Sequence, residues 1–249
     1  MSLSTSSQTQ TAIFTAVVSD NVGINSITVS GATQVGVSGS TYTFHKTYNY
    51  SSYDFGSSTD VVTLTVSDAA GNTSTSSKTI TIVKTDNQDP VISSFTANNT
   101  SFSLYTTGNT SQVVTFTLVA TDNRAITSTS ISNGVSFNSV SGSNYTYTKT
   151  FNYSDLSNWG NNTFNFTATA IDAAGNEDTE TLSITVAKVD NQNPAISSFT
   201  ASSTNVALTT GSQSQTITFA SNASDNRSIT SMNLPTATST DSTGPDYAW

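Results

Sequence analysis

Oxygen-bearing side chains gather at fixed places in this chain. Residues 86–90 read DNQDP and residues 190–194 read DNQNP. An Asp-Asn pair recurs at 20–21, 122–123 and 225–226, and DAAGN occurs at 68–72 and again at 172–176. Two chemistries fit such residues. Carboxylates, amides and backbone carbonyls are the oxygens that Ca²⁺ takes, about 6–8 at a time. Asp and Asn also form turns unaided, because their side chains bond their own backbone and tolerate unusual φ. Metal chemistry needs separate segments to converge, so the elements carrying them decide what is feasible.

Those elements repeat. FTAVVSDNVGI (14–24) matches FTLVATDNRAI (116–126) and FASNASDNRSI (219–229). YTFHKTYNY (42–50) matches YTYTKTFNY (145–153), and KTITIVKTDNQDP (78–90) matches LSITVAKVDNQNP (182–194). Phe14 and Phe116 differ by 102 positions, Asp68 and Asp172 by 104. A repeat is the first thing to establish in a sequence, and here the unit is about a hundred residues. The boundaries expected are a first unit at 1–85 without its first strand and a linker at 86–90. A complete unit follows at 91–188, then a linker at 189–194 and a partial third unit at 195–249.

Within a unit, apolar residues alternate with polar ones, the period of a half-buried strand. Phe116, Leu118 and Ala120 share a face, as do Phe166, Ala168 and Ala170, and Ile184 and Val186. For the middle unit the pattern predicts strands near 91–97, 112–120, 125–132, 135–140, 145–153, 162–171 and 179–188. About seven short strands in about a hundred residues predict an all-β fold of tandem immunoglobulin-like β-sandwiches. Cys is absent, so a disulfide-linked antibody-type domain is excluded.

Composition narrows function. The formal net charge is −9, with seven basic residues read as scattered. That balance excludes a nucleic-acid surface, which needs clustered Lys and Arg. No apolar run approaches the ~18 residues of a spanning helix. MSLSTSSQ has neither a basic nor an apolar leader segment, so a removed signal or an internal piece of a longer chain is expected.

The combination of SDNxxI, DAAGN and DNQxP resembles bacterial immunoglobulin-like and cadherin-like tandem repeats of extracellular surface proteins. The resemblance implies an extracellular or cell-surface location and a structural or adhesive role as a stalk or spacer. Its partners would be neighbouring repeats, with a surface glycan or protein as ligand, and cadherin-like relatives use Ca²⁺ at domain junctions to stiffen the array.

On an immunoglobulin-like sandwich the second-to-third and sixth-to-seventh strand loops share one end, where the first strand also begins. The linker is therefore delivered beside both loops. Asp86, Asn87, Asp89, Asp122 and Asp172 are the candidate calcium ligands of the first junction, with Asn123 in reserve. Asp190, Asn191, Asn193 and Asp225 are their counterparts at the second, which should be weaker or empty because the third unit's later loop is missing. The competing reading is turn chemistry alone, with Pro90 and Pro194 setting an extended linker.

Other residues point away from catalysis. His45 is the lone His and should face solvent, and no HExxH, GxSxG or P-loop motif occurs. Glu177, Asp178 and Glu180 read as one solvated turn. Phe55-Gly56 and Trp159-Gly160, with Tyr50 and Tyr153, read as plugs closing the bottom of each core, with a sugar platform as the alternative. A carbohydrate-binding accessory module and a filament subunit completed by head-to-tail strand donation remain the rivals to a stalk.

Overall fold

The structure is a computed structural model describing residues 1–211, 214–235 and 246–248. It is all-β. The first unit holds β1 (Ser2–Leu3), β2 (Thr9–Val17), β3 (Ile24–Val29), β4 (Thr33–Ser38), β5 (Thr41–Asn49), β6 (Gly56–Asp68) and β7 (Thr73–Lys84). The middle unit holds β8 (Val91–Ala97), β9 (Ser101–Tyr105), β10 (Ser111–Thr121), β11 (Ile126–Ile131), β12 (Ser136–Ser141), β13 (Asn144–Asn152), β14 (Gly160–Asp172) and β15 (Glu177–Val189). The third shows β16 (Ala195–Ala201), β17 (Phe219–Ser224) and β18 (Asp246–Ala248).

The middle unit is an immunoglobulin-like sandwich of two four-stranded sheets, ordered β12-β13-β10-β8 and β11-β14-β15-β9. The alternation read from sequence packs between them. Val114, Phe116, Leu118 and Ala120 of β10 are buried, as are Phe166, Ala168 and Ala170 of β14 and Ile184 and Val186 of β15. Phe116 lies 4.9 Å from Phe166 and 6.1 Å from Phe95, ring centre to ring centre.

The strand that sequence reading did not supply is β9. It runs parallel to β15, with Leu104 opposite Lys188. The first strand of the fold is thus split. β8 pairs with β10, then the chain crosses to the other sheet through 98–100, where the Asn98 side chain accepts the Thr115 N–H. Only Leu104 of SFSLY is fully buried, too little alternation to reveal a strand. β1 repeats this arrangement on β7, with Leu3 fully buried.

The first unit packs more loosely. Among the described residues β2 pairs only with β5, in the sheet β2-β5-β4. No counterpart of Phe95 covers Phe14, which stays half-buried, and the core splits into one cluster around Val29, Phe44 and Val62 and another around Leu3, Tyr48 and Ile82. His45 is half-buried on the outer face of β5 rather than open to solvent, a correction that follows from its pairing between β2 and β4.

One packing contact changes from apolar to polar between the units. The middle unit stacks Phe151 edge-on against Phe164 at 5.2 Å. The first unit has Tyr48 and Asp60 there. The Tyr48 hydroxyl donates to Asp60 at 2.8 Å, and the Lys46 ammonium meets the same carboxylate at 2.7 Å. The Lys46 hydrogen bond lowers the Asp60 pKa against the opposing effect of burial, with Tyr48 adding to the lowering. A carboxyl with a lowered folded pKa stabilises fully above its unfolded value of about 3.9, and that stability is lost as pH falls through the folded value. Asp60→Ala is expected to cost about 1–2 kcal/mol at pH 7. In urea unfolding at stepped pH, the gap to the unsubstituted chain should close below about pH 4. A gap that persists into acid would show that packing, not charge, is what Asp60 supplies.

Candidate metal centre at the first junction

Three segments do converge. Asp86 of the linker, Asp122 after β10 and Asp172 at the end of β14 each place a carboxylate oxygen within 4.8 Å of the others. Asp86 and Asp172 are buried and Asp122 is half-buried. Pro90 is buried as well, so the linker enters the middle unit in contact with it.

The three acids are differently committed. Asp172 Oδ1 accepts the backbone N–H groups of Ala174, Gly175 and Asn176 at 2.6–2.8 Å, and Oδ2 accepts the Asn176 amide. Burial opposes ionisation, but these hydrogen bonds outweigh it and lower the pKa. Asp122 Oδ2 accepts the Arg124 N–H at 2.7 Å, while its Oδ1 is buried without a partner. Asp86 Oδ1 accepts the Gln88 N–H and the Asn123 amide, both at 3.2 Å, while its Oδ2 is buried and unpartnered. Asp86 is only 8% exposed. Buried carboxylate oxygens are nearly always satisfied, so two orphans in one pocket need an explanation.

The Tyr50 hydroxyl is the third orphan. It comes from a single 3₁₀ turn, Tyr50–Ser52, between β5 and β6 of the preceding unit. Burial raises its pKa, and the Asp86 charge raises it further. Sequence reading placed Tyr50 in a core plug. The repeat of Tyr50 at Tyr153 was the available signal, but it did not reveal which end the residue served.

The remaining expected ligands lie elsewhere. The Asn87 side chain is turned back to the first unit, where its oxygen accepts the Thr5 N–H and hydroxyl and its amide donates to Ser6. Asp89 is exposed and outside the cluster. Asn123 acts as a donor to Asp86 rather than as an oxygen. Asp178, read as part of a solvated turn, accepts the Ile92 N–H at 2.8 Å and so ties the start of β8 to β15. Asn176 donates to the Gln88 carbonyl at 3.1 Å, a further tie from the β14–β15 loop to the linker.

The second junction repeats part of this. Asn191 binds Thr107 in both directions, as Asn87 binds Thr5 and Ser6. Asp190 Oδ1 accepts the Gln192 N–H and the Thr106 hydroxyl, and the Gln192 bond is the main cause of its lowered pKa. Asp225 accepts the Arg227 N–H, as Asp122 accepts that of Arg124. Asn193 is exposed. Among the described residues, the metal-type cluster of three acids occurs at the first junction.

The donor set at the first junction is all oxygen, which suits a hard cation such as Ca²⁺. Two of the three clustered acids carry an orphaned carboxylate oxygen, and Asp172 has spare acceptor capacity, so the residues fit the ion. Asp86, Asp122 and Asp172 would hold it, and a full shell of about 6–8 oxygens would draw on backbone carbonyls and water.

No family model matches the chain, and no curated protein matches it. Among solved structures it is similar to a pair of titin domains in complex with telethonin, at 9% identity and a TM-score of 0.35 over 77% of this chain and 93% of that one. It is similar to the protocadherin GammaB4 extracellular domain at 15% identity and a TM-score of 0.37, over 71% of this chain and 28% of that one. The sialic acid binding region of a Streptococcus sanguinis adhesin matches at 10% identity and a TM-score of 0.25, over 76% of each chain. None of these likenesses carries an argument about this chain's role.

The DAAGN turn can be separated from the pocket experimentally. Asp68 makes most of the same bonds in the first unit, its carboxylate accepting the Ala70 and Asn72 N–H groups and the Asn72 amide. Asp172→Ala should therefore destabilise by about 2 kcal/mol even in chelator, because charge-assisted hydrogen bonds to the turn are lost. Thermal unfolding in EDTA reads this, and an unchanged melting temperature would remove the turn role.

Proposed function

We propose that this chain is a segment of an extracellular stalk, in which immunoglobulin-like units 1–85, 91–188 and 195–249 are joined at 86–90 and 189–194. Calcium at the first junction stiffens the connection. The observation that carries the reading is the pair of buried, unpartnered carboxylate oxygens on Asp86 and Asp122, two acids that cluster with Asp172. Two unit charges within 4.8 Å repel by about 3 kcal/mol or more at an effective dielectric of ~20. A divalent cation turns that repulsion into attraction. Because the three ligands belong to a linker and two loops, the same ion fixes the direction in which one unit leaves the next. In a tandem array each unit contacts chiefly its neighbours, so the stiffness of the joint determines reach.

A location outside the cell fits such a role, and no helix among the described residues is long and apolar enough to cross a membrane. The partners of the segment are then its neighbouring repeats, with any glycan or protein ligand carried by the array. Phe55 and Trp159, the aromatics a sugar platform would use, are each covered by an arginine.

Head-to-tail self-association has one observation in its favour. β16 reads AISSFTA against VISSFTA in β8, and its Ile196 and Phe199 are exposed, while among the described residues the edge of β2 equivalent to the β8-binding edge of β10 has no strand on it. Strand addition at such an edge supplies main-chain hydrogen bonds. Light scattering that rises with concentration would support it, and a monomer at high concentration would end it.

The calcium reading makes a signed prediction. Asp122→Asn keeps an oxygen for the Arg124 N–H but removes a charge from the cluster. In EDTA it should raise the melting temperature or leave it unchanged. In millimolar Ca²⁺ the unsubstituted chain should gain stability, about 2.7 kcal/mol at 100 times the dissociation constant, and the variant should gain far less. Equal melting temperatures of the unsubstituted chain with and without Ca²⁺ would leave only turn chemistry.

A further inference from the structure

We infer that each junction carries a second lock that needs no metal: an arginine of one unit stacked on an aromatic ring of the unit before it. Arg124 sits in the loop between β10 and β11, and its guanidinium carbon lies 4.9 Å from the centre of the Phe55 ring, across the linker. At the second junction Arg227 lies 5.2 Å from the Trp159 ring. A cation within about 6 Å of a ring centre is attracted by the ring's negative face. The two contacts occupy the same repeat positions, which makes the arrangement a built feature of the joint.

Each ring is presented to its arginine by the unit that owns it. Phe55 and Trp159 are followed by Gly56 and Gly160, whose φ values of 103° and 81° are open to glycine and disfavoured for side-chain-bearing residues. Nothing lies within 4 Å of a Cβ built at either glycine, so the backbone turn is what requires the residue. Behind each ring stands a lysine of the same unit. Lys84 lies 4.7 Å from the Phe55 ring and 4.1 Å from Tyr50, and Lys188 lies 5.4 Å from Trp159 and 4.8 Å from Tyr153. These lysines are held by the Tyr53 and Leu156 carbonyls. The rings are half-buried at the junction, not plugs in the core.

The basic residues read as scattered are therefore placed by the repeat. Lys46 and Lys149, Lys84 and Lys188, and Arg124 and Arg227 form equivalent pairs, leaving only Lys78 outside the scheme. The lock also has a recognition aspect. The first unit has Val22, 80% exposed, where the later units have arginine, so its head offers no guanidinium to a preceding ring. The arginine marks a unit end that docks on an aromatic-Gly corner.

This lock stands apart from the calcium reading, and one experiment separates the two. The chain has no Cys, so spin labels can be placed at Ser38 and Ser139, both exposed, on either side of the first junction. The distance distribution between them is measured in EDTA and in Ca²⁺ for the unsubstituted chain, Arg124→Ala and Phe55→Leu. Both variants should broaden the distribution in EDTA, at an unchanged melting temperature for the middle unit. At the second junction, Trp159 in a Trp249→Phe background reports directly, and Arg227→Ala should raise its acrylamide quenching in EDTA. Broadening by the variants with no response to Ca²⁺ would support the lock and end the metal reading. Distributions and quenching unchanged by the arginine and phenylalanine variants in EDTA would overturn the lock, whatever Ca²⁺ does.

Discussion

Asp86, Asp122 and Asp172 approach one another from a linker and two loops, and three like charges held together in a pocket repel. The neighbourhood is built to hold them there. Asn123 donates to Asp86, the Arg124 N–H to Asp122, and a whole turn of N–H groups to Asp172. Buried Pro90 and the Asp178 bond to Ile92 then fix how β8 enters its sheet. The start of the middle sandwich and the acid cluster are thus one structure. A strand that began elsewhere would pull Asp86 out of the pocket.

Turn chemistry and metal chemistry are not alternatives at this site. Asp68 makes the DAAGN turn bonds in the first unit without a linker acid beside it, so that motif needs no ion. The weight of the metal argument rests instead on Asp86 and Asp122, whose free oxygens no protein group satisfies. The second junction, with Asp190 and Asp225 and an exposed Asn193, carries less charge into the same geometry. The two joints therefore differ in the acid they bring together, while the aromatic stacks at both are alike.

The sandwich was legible because period-2 alternation is a direct consequence of burying one face of a strand, and β10, β14 and β15 follow it through their cores. Strand β9 was not legible, since a short strand with one buried residue leaves no period to read. For the site, repeat spacing and topology together place Asp86, Asp122 and Asp172 at one end, where the structure clusters them. It could not tell Asp86 from Asn87, one residue apart in an extended linker, because neighbours there point in opposite directions. Asn87 serves the preceding unit for that reason. Tyr50 and the arginines escaped notice because sequence periodicity reports which residues are equivalent, not which body they touch across a joint.

The contacts that cross or flank the junctions join different things, two kinds at both junctions and a third at the first. The asparagine latch fastens the linker to the unit it leaves, through Thr5 and Ser6 or Thr107. At the first junction the Asn123 bond to Asp86 and the Asn176 bond to the Gln88 carbonyl fasten the linker to the unit it enters. The arginine stack joins the two units directly, bypassing the linker. Two ties through a common linker still leave rotation about it, since they share one path. A third contact off that path removes the freedom, because two bodies connected along separate lines cannot turn independently. The short linker matters for the same reason: it keeps the aromatic corner and the arginine loop close enough that an individually weak cation–ring contact, about 0.5–2 kcal/mol, acts without first gathering the two ends together.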